Sequence, residues 1–539
     1  MTTRTARGLS ALVAAGAILA AVPACRGGGM PAETRRWLAH VKYLSSDAMR
    51  GRQTGSPEHR TAAQYVAAQF EELGLQPGAG EGFLQPVGFI ARRVREKDCA
   101  LDLVFGDRVV PLTLGEDATL QMSVDSDSLL EAKAVFVGYG LSVPEAGYDD
   151  LAGTDLTGKI AVLLQGGPSA VKEPLRSYAQ STGARWSRLH EHGAIGLVTI
   201  SNPHHSDIPW LRGASQRFSP GMVLADSTLD ERRGQRLGVS FNPDRANKLF
   251  EGTPHNMAEL LALADSQVTL PVFPLVPKIR ARVHYDRETL ESQNVVALLP
   301  GSDPALKDEI VLLTAHLDHL GVGAPVAGDS IYNGAMDNAS GVAALIEIAR
   351  ALTKAPKRPA RTVAFVCVTG EEKGLLGSRY FSLKPTVPAE AIVADLNVDM
   401  VLPIIPLKRM IVFGDGESDL GADAKGVADE TGIAIQADPE PLRNRFIRSD
   451  QFNFIRRGVP SVAFSTGAVP GSQEDSLLHR WTRERYHAPA DDAEQPLDPA
   501  APADLIRYVT RLTVQVADRP TRPAWNDASF FKRFAAPAP

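Results

Sequence analysis

Cysteine is scarce in this chain, and aromatic residues are few. Of 539 residues, 3 are cysteines and 6% are aromatic. Cys25 follows an apolar N-terminal stretch, which leaves Cys99 and Cys367 for the body of the protein. Two thiols can build neither a disulfide framework nor a cysteine-ligated zinc site. Cys367 lies in an apolar strand-like run, so we expect it to be a small core residue.

An excess of positive charge is also missing. The formal net charge is -6, with 22% charged and 44% hydrophobic residues. Nucleic-acid-binding proteins present basic surfaces, so this balance argues against a nucleic-acid partner. Beyond the N-terminus, no uninterrupted apolar run is long enough for a membrane span. Length and composition predict about three globular domains, or one large domain that carries an insertion.

The N-terminus has the layout of a secretory signal peptide. Arg4 and Arg7 precede an apolar stretch over residues 9–22, and small residues follow it. We therefore expect residues 1–24 to be a signal peptide that directs export across a bacterial inner membrane. Residues 25–31 contain three consecutive glycines and are expected to form a flexible tether.

The letters "VPAC" at the end of the signal peptide resemble the bacterial lipobox. This resemblance implies that Cys25 is lipidated and anchors the mature protein to a membrane. Pro23 is unusual at its position, so ordinary cleavage with soluble export stays open. Arg26, rather than Asp, follows the cysteine, and by analogy with bacterial sorting we expect the outer membrane or the periplasm.

Strand-like and helix-like segments alternate from about residue 281 onwards. Apolar runs such as "EIVLLTAH", "TVAFVCVTG" and "AIVADLNVDM" are separated by segments with helical spacing. This order predicts an α/β fold with a mixed, mostly parallel sheet and helices on both faces. Ligands of such sheets bind at the carboxyl ends of the strands. Short β-rich runs with Gly and Asp turns over residues 126–280 predict a separate inserted domain.

Charged and polar residues follow these strands at positions that an α/β sheet would bring together. They are His316, Asp318, His319, Asp337, Glu371, Glu372 and Asp399, with Tyr486 and His487 further downstream. Each has a simple structural explanation on its own, such as a helix cap for Asp337 or an ion pair for Asp399. Their coincidence at successive strand ends favours a bound metal. Imidazoles and carboxylates without a thiolate suit zinc or a similar divalent ion.

Several ordered motifs resemble the zinc-dependent aminopeptidases, a family of co-catalytic di-zinc exopeptidases. The motifs are "HLDHLG", "YNGAMDNASG", "TGEEKGLLGS", "NVDM", "RSDQFNFIRRGVPSVAF" and "YHAPADD". The segment beginning "YLSSDAMRGRQTGSPEHR" is similar to the N-terminal helical part of the same family. The segment beginning "VFVGYGLSVPEAGYDD" resembles the protease-associated domain that many members carry as an insertion.

The resemblance implies how the chain is divided. The peptidase domain is expected over residues 32–125 and 281–520, with the protease-associated domain inserted over residues 126–280. A C-terminal tail would cover residues 521–539.

The resemblance also implies two zinc ions per chain and their ligands. Asp337 would bridge the ions, with His316 and Asp399 completing one and Glu372 and His487 the other. Such a pair compensates clustered carboxylates, lowers the pKa of water and polarises the carbonyl that is cleaved. Cobalt or manganese in place of zinc stays open, because affinity order alone does not select a metal in cells.

Residues that do not bind metal take their expected roles from the same family. Asp318 would hold the His316 ring through its second nitrogen. Glu371 would act as the general base, and Tyr486 would donate a hydrogen bond to the tetrahedral oxyanion. The bond Asp337–Asn338 is expected to be a cis peptide.

The substrate pocket is less well defined by the motifs. Arg448 is a candidate for substrate binding, although an ordinary surface arginine explains it as well. Gln451 stands where many relatives have His after "RSD". This departure concerns the pocket and leaves the expected metal ligands in place.

The expected activity is the removal of single residues from the free N-termini of peptides. A carboxypeptidase on the same fold is the main alternative, because Arg443, Arg445 or Arg448 could bind a terminal carboxylate. A glutaminyl cyclase would use one zinc with three ligands, and the two further ligands present here disfavour it. Retention of Glu371 and of every ligand disfavours a non-catalytic, receptor-like protein.

Overall fold

The computed structural model of the protein describes residues 29–535. The predicted signal peptide and Cys25 lie outside the described residues, so both stay predictions. Among the helices that are described, none combines the length and the apolar character that crossing a membrane requires.

A large mixed sheet of ten strands forms the centre of the molecule. In spatial order its strands are Gly221–Leu224, Leu84–Val94, Tyr285–Leu299, Thr362–Val368, Ile310–His316, Ile392–Asn397, Ser461–Thr466, Arg409–Phe413 and Ala434–Gln436, and Gln76–Pro77 pairs with Tyr285–Leu299. The four strands from Thr362–Val368 to Ser461–Thr466 are parallel neighbours. Antiparallel pairs flank this parallel centre on both sides. The mixed α/β sheet is thus confirmed, with its parallel part at the centre.

Helices cover both faces of the large sheet, as expected. In the central strand, Val311 and Leu313 pack with one group of helices, whereas Leu312 packs with Phe381 and Phe454 on the opposite face. The helices of the first face are Ala32–Leu44, Pro57–Glu72, Ser340–Thr353, Leu420–Thr431 and Ala501–Asp518, and those of the second are Leu376–Leu383 and Gln451–Ile455. Central strands that are buried on both faces have continuous apolar sequences, and these uninterrupted runs identified them in the sequence.

A second sheet of eight strands has its own apolar core. In spatial order its strands are Arg108–Leu112, Ala100–Phe105, Val272–Arg282, Leu129–Val137, Ile160–Leu164, Gly196–Ile200, Gly238–Phe241 and Ala118–Leu120. Helices Glu173–Gln180, Thr182–Glu191, Trp210–Ser215 and Met257–Asp265 lie in the same part of the chain. We call residues 100–282 the second domain.

The predicted start of the insertion at residue 126 falls inside the second sheet. Ala100–Phe105 pairs with Val272–Arg282, far away in the sequence, so the unit begins earlier than expected. Short strands carry little local pattern, and pairing with a distant partner decides where they belong. Gly221–Leu224 lies within the predicted insertion, but it pairs with Leu84–Val94 and so belongs to the large sheet.

Candidate metal centre

His316, Asp337 and Asp399 meet at the carboxyl ends of the parallel strands. His316 is the last residue of its strand, and Asp399 follows the neighbouring strand Ile392–Asn397. Asp337 lies in the turn just before helix Ser340–Thr353. The Nε2 atom of His316 is 3.1 Å from Asp337 Oδ1 and 3.3 Å from Asp399 Oδ1. The topology therefore brings together three of the predicted ligands.

The second oxygen of Asp337 belongs to another group of side chains. His487 Nε2 is 3.2 Å from Asp337 Oδ2 and 3.2 Å from Glu372 Oε2. His319 Nδ1 is 2.7 Å from Glu372 Oε1 and 3.9 Å from Asp337 Oδ2. One carboxylate thus stands between two His–carboxylate groups, which is the arrangement of a shared ligand.

Backbone contacts hold the Asp337 turn in place. Asp491 accepts hydrogen bonds from the backbone N–H groups of Met336, at 2.9 Å, and Asp337, at 3.0 Å. The Asn338 side chain donates to the carbonyl of Val398 at 2.9 Å. The peptide bond between Asp337 and Asn338 is cis, as the resemblance implied.

Arg52 stabilises the loops that carry His316 and Asp337. The sequence analysis had no reason to assign it a role. Its fully buried guanidinium donates to the backbone carbonyls of Leu317, Asn333 and Gly334. These carbonyls flank the two loops that carry His316 and Asp337. The only sequence signal was its place in the motif "MRGRQTG", which resembles the family without indicating a function.

Asp318 contacts the site through both its backbone and its side chain. The Nδ1 atom of His316 contacts the backbone carbonyl of Asp318 at 3.1 Å, not its carboxylate. The carboxylate instead accepts hydrogen bonds from Thr54, at 2.8 Å, and from the backbone N–H of Glu371, at 3.1 Å. A carbonyl orients a metal-binding imidazole as well as a carboxylate does. The carboxylate is thereby free to hold the backbone at Glu371.

Arg212 joins the second domain to the loop that carries Tyr486 and His487. From helix Trp210–Ser215, its Nη1 donates to the carbonyl of Tyr486 at 2.8 Å, and its Nη2 donates to the carbonyl of Arg483. Sequence reasoning missed this residue, because nothing in its local pattern distinguishes it from a surface arginine.

Asp207 provides a further contact between the two parts of the molecule. Its buried carboxylate accepts hydrogen bonds from both Arg443 and Arg448. The third arginine of that segment, Arg445, pairs with Glu440 at 2.9 Å. Arg448 lines the pocket beside the metal centre and its charge is paired, and its role in substrate binding stays a prediction.

A pocket opens beside the metal centre. His316, Asp337, Glu371, Asp399 and Tyr486 line it. Its wall also includes polar side chains such as Gln436 and Thr466 and an apolar part formed by Met400, Leu402, Ile411, Phe413, Phe464 and Leu478.

Gln451 lies in the pocket wall with a fully buried side chain. It accepts a hydrogen bond from Asn397 at 2.8 Å and donates one to the carbonyl of Phe446 at 2.8 Å. Both polar ends of the amide are thus used within the protein. The replacement of His by Gln therefore shapes the wall of the pocket without adding a ligand.

Charge coupling within the site is strong. Burial works against the charge of Asp337, but hydrogen bonds from His316 and His487 hold its pKa well below the usual range. Burial also opposes the charge on His316, yet Asp399 and Glu371 raise its pKa well above the ordinary value. Burial raises the pKa of Glu371, and the nearby carboxylates add to the effect. The whole cluster therefore attracts positive charge.

The residues present fit a divalent metal. Two groups, His316–Asp337–Asp399 and His319–Asp337–Glu372, each offer ligand atoms within 4.8 Å of one another. Ligand atoms about 2.0–2.2 Å from a tetrahedral ion lie about 3.3–3.6 Å apart, close to the spacings measured around His316. Glu372 Oε1 and both ring nitrogens of His319 are buried without an aligned hydrogen-bond partner among residues 29–535. His319 was not among the predicted ligands, although it stands in the same "HLDHLG" motif as His316.

Known proteins resemble parts of this chain. Residues 294–513 match the model described as "Peptidase family M28". The "probable leucine aminopeptidase 2" of Aspergillus oryzae is 31% identical over 229 residues, which are 38% of this chain and 41% of the relative. A "Probable zinc metalloprotease" of Pyrenophora teres f. teres is 25% identical over 272 residues, 50% of this chain and 51% of the relative. The chain thus spans about half the length of these curated relatives or less.

A solved structure resembles the chain over almost its whole length. The aminopeptidase from Aneurinibacillus sp. strain AM-1 is 21% identical, with a TM-score of 0.54 over 91% of this chain and 95% of that one. At this identity the match establishes a shared fold, which confirms the predicted fold class. The family match itself covers the segment 294–513, and it agrees with the peptidase motifs that lie in that segment.

Proposed function

We propose that the protein is an aminopeptidase that uses two zinc ions. The observation that carries the proposal is the Asp337 carboxylate, whose oxygens face two separate His–carboxylate groups beside a pocket. His316 and Asp399 would hold one ion and Glu372 and His487 the other, with Asp337 shared. When bound, such a pair of ions lowers the pKa of water and polarises a peptide carbonyl.

Glu371 supplies the proton transfer in this proposal. Its side chain lines the pocket next to the ligand Glu372 and is not one of the clustered ligand atoms. It takes a proton from the attacking water and passes that proton to the leaving amine. The Asp318 carboxylate, bonded to the Glu371 backbone N–H, holds this residue in position.

Tyr486 stabilises the charge that develops on the substrate carbonyl oxygen. Its side chain lines the pocket beside His487, with ring centroids 4.0 Å apart. Burial raises the pKa of Tyr486 well above its ordinary value, so the hydroxyl keeps its proton and can donate it in a hydrogen bond.

The charges around the pocket favour an aminopeptidase over a carboxypeptidase. A carboxypeptidase needs a free basic group for the terminal carboxylate, best an arginine that makes paired bonds. Arg443 and Arg448 are both paired with Asp207, and Arg445 is paired with Glu440. A substrate ammonium, by contrast, would find the carboxylates of the metal centre.

The apolar part of the pocket supports a preference for apolar N-terminal residues. Its six apolar lining residues would bury a leucine-sized side chain, which is worth about 1.5–3 kcal/mol. The relative from Aspergillus oryzae carries the name leucine aminopeptidase, which agrees with this preference. The second domain reaches the pocket through Asp207, and we expect it to restrict substrates to short or unfolded peptides.

One decapeptide with N-terminal leucine, prepared in three forms, tests the proposal. We expect the free and the C-amidated forms to lose leucine and the N-acetylated form to resist, as mass spectrometry of the products would reveal. Removal of metal by a chelator should stop the reaction, and added zinc should restore it. Cleavage of the acetylated form together with resistance of the amidated form would make the protein a carboxypeptidase.

We further propose that the protein is exported and anchored to the outer membrane by a lipid on Cys25. The support is the signal-like N-terminus and the lipobox resemblance, both outside the described residues. Cys25→Ser should move the protein from the membrane fraction to the soluble exported fraction, because several acyl chains are lost at once. Unchanged membrane partition of the variant would rule this anchor out.

A further inference from the structure

A second cavity lies between the second domain and the catalytic part. Its volume is about 350 Å³. Arg176 and Arg185 contribute to its wall from the helices Glu173–Gln180 and Thr182–Glu191. The catalytic part contributes Arg443, Arg448 and their neighbours. Positive charge therefore dominates the wall.

The only carboxylate in this wall, within the part of the chain that the structure describes, is already engaged. It belongs to Asp207, which pairs with Arg443 and Arg448. Neither Arg176 nor Arg185 forms an ion pair with a described residue. Both residues line the cavity, and the carboxylates whose charges act on them, Glu173 on Arg176 and Asp150 on Arg185, form no ion pair with them.

Both of these arginines are buried and poorly satisfied. Arg176 is 5% exposed and Arg185 is 7% exposed. Arg176 makes one long hydrogen bond, 3.4 Å, to the carbonyl of Pro168, and its Nε has no partner. In Arg185, Nε and Nη2 have no partner among the described residues. Buried guanidinium groups in native proteins normally have their hydrogen bonds satisfied.

The nearby carboxylate of Asp150 does not supply the missing hydrogen bonds of Arg185. It is the carboxylate whose charge acts on Arg185, and burial lowers the pKa of Arg185 to about 10 in spite of it. Asp150 accepts hydrogen bonds from the backbone N–H groups of Tyr139 and Leu141, at 3.1 Å each, and from the hydroxyl of Tyr148. Its oxygens are thus committed elsewhere.

We propose that this cavity binds a small oxyanion, carboxylate or sulfate-like, through Arg176 and Arg185. Guanidinium groups bind such oxygens in pairs of parallel hydrogen bonds. An anion would compensate two buried charges that are otherwise costly to keep. The site is distinct from the metal centre, but Asp207 and Arg448 line both pockets, so the two are neighbours. The anion is therefore either free in solution or the terminal carboxylate of a short bound peptide.

Sulfate serves as the probe for the free anion. The melting temperature of the full metal-loaded chain should rise saturably by a few degrees with sodium sulfate, compared with sodium chloride at equal ionic strength. The non-specific salt effect grows without saturation and stays in every variant. Isothermal titration calorimetry at fixed temperature provides the dissociation constant directly.

Two variants and a matched control decide the result. Arg185→Gln and Arg176→Gln should each lose the saturable rise and weaken sulfate binding at least ten-fold. Arg188→Gln, an exposed residue of the same helix as Arg185 that pairs with Glu191, should keep both. If Arg185→Gln does not fold, Arg176→Gln carries the same test. Absence of saturable binding by the wild type, or its retention in the folded variants, would overturn the proposal.

A separate measurement identifies the source of the anion and rests on the proposed aminopeptidase activity. A leucine tripeptide is supplied as the free acid and as the amide. If the peptide carboxylate occupies the cavity, the free acid has a lower KM than the amide. Sulfate should then raise the KM of the free acid, and Arg185→Gln should make the two KM values equal. Equal KM values with intact sulfate binding assign the site to a free anion. Failure of the wild type to cleave either peptide would count against the aminopeptidase and leave the sulfate result untouched.

Discussion

The metal centre and the interdomain cavity are both lined by buried charges, but of opposite sign. In the metal centre, the carboxylates of Asp337, Asp399 and Glu372 converge with His316 and His487, whose nitrogens lie 3.1–3.3 Å from the carboxylate oxygens. Imidazoles that bind a metal are neutral, so they do not offset the negative charge of these carboxylates. In the cavity, Arg176 and Arg185 on successive helices keep buried nitrogens without a partner among the described residues. Because a buried charge is costly without compensation, the first region calls for a cation and the second for an anion. The experiments below test that difference, from the largest expected effect to the smallest.

Removal of the shared carboxylate should have the largest effect. Asp337→Ala is expected to lose both metal ions and all activity, whereas His487→Ala should mainly weaken the binding of one ion. The reason is that a bridging ligand serves both ions and a terminal ligand only one. Elemental analysis of the purified variants measures the difference, with Asp329→Ala on an exposed hairpin as a control. Two ions retained by Asp337→Ala would contradict the shared role.

Glu371→Gln separates metal binding from proton transfer. We expect kcat to fall by about 10²–10⁴-fold, because the water loses its base. The metal content should stay that of the wild type, since Glu371 is not among the clustered ligand atoms. Near wild-type kcat in a variant with both metals bound would remove Glu371 from the mechanism.

The contact of the second domain with the catalytic loop should have an intermediate effect. Arg212→Ala releases the carbonyls of Tyr486 and Arg483, so the loop can shift away from its reactive position. A displacement of that kind lowers kcat by about 10–100-fold with a smaller change in KM.

Arg212→Lys and Leu211→Ala are the controls for this positioning role. Lysine keeps one donor and should restore part of kcat, and the exposed Leu211 on the same helix should be dispensable. If Arg212→Ala changed only thermal stability and left kcat intact, the contact would be purely structural.

The smallest effect on stability is expected from a substitution in the cavity, measured without added anion. Arg185→Met removes a buried charge that lacks an ion pair, so the free energy of unfolding in chloride should stay within about 1 kcal/mol of wild type or rise. Equilibrium unfolding in urea measures it. A loss of several kcal/mol would mean that the protein itself compensates Arg185, and the contrast with the metal centre would disappear.

Local sequence patterns predicted the parts of this protein whose structure is local. The central strands are buried on both faces and therefore appear as continuous apolar runs. The helix Pro57–Glu72 ends just before Gly74, whose φ of 78° is the left-handed conformation that glycine adopts readily at a helix end. Residues at successive strand ends could be grouped in advance because parallel strands end at the same edge of a sheet.

Contacts between distant segments could not be predicted in this way. The boundary at residue 126 was misplaced because Ala100–Phe105 is assigned to its sheet only by pairing with Val272–Arg282. The contact of Asp318 with His316 runs through a backbone carbonyl, which every residue has, so the side-chain type could not predict it.

The sequence by itself determined which residue types stand at the site, and the tertiary structure decided how the two domains meet around them. Residue types at strand ends specify a divalent metal because only imidazoles and carboxylates are gathered there. The contact of His319 with Glu372, the Arg212 contact and the pairing of Arg443 and Arg448 with Asp207 have no local signature. These interactions depend on where distant parts of the chain pack against each other, and that packing follows from burial of two separate apolar cores.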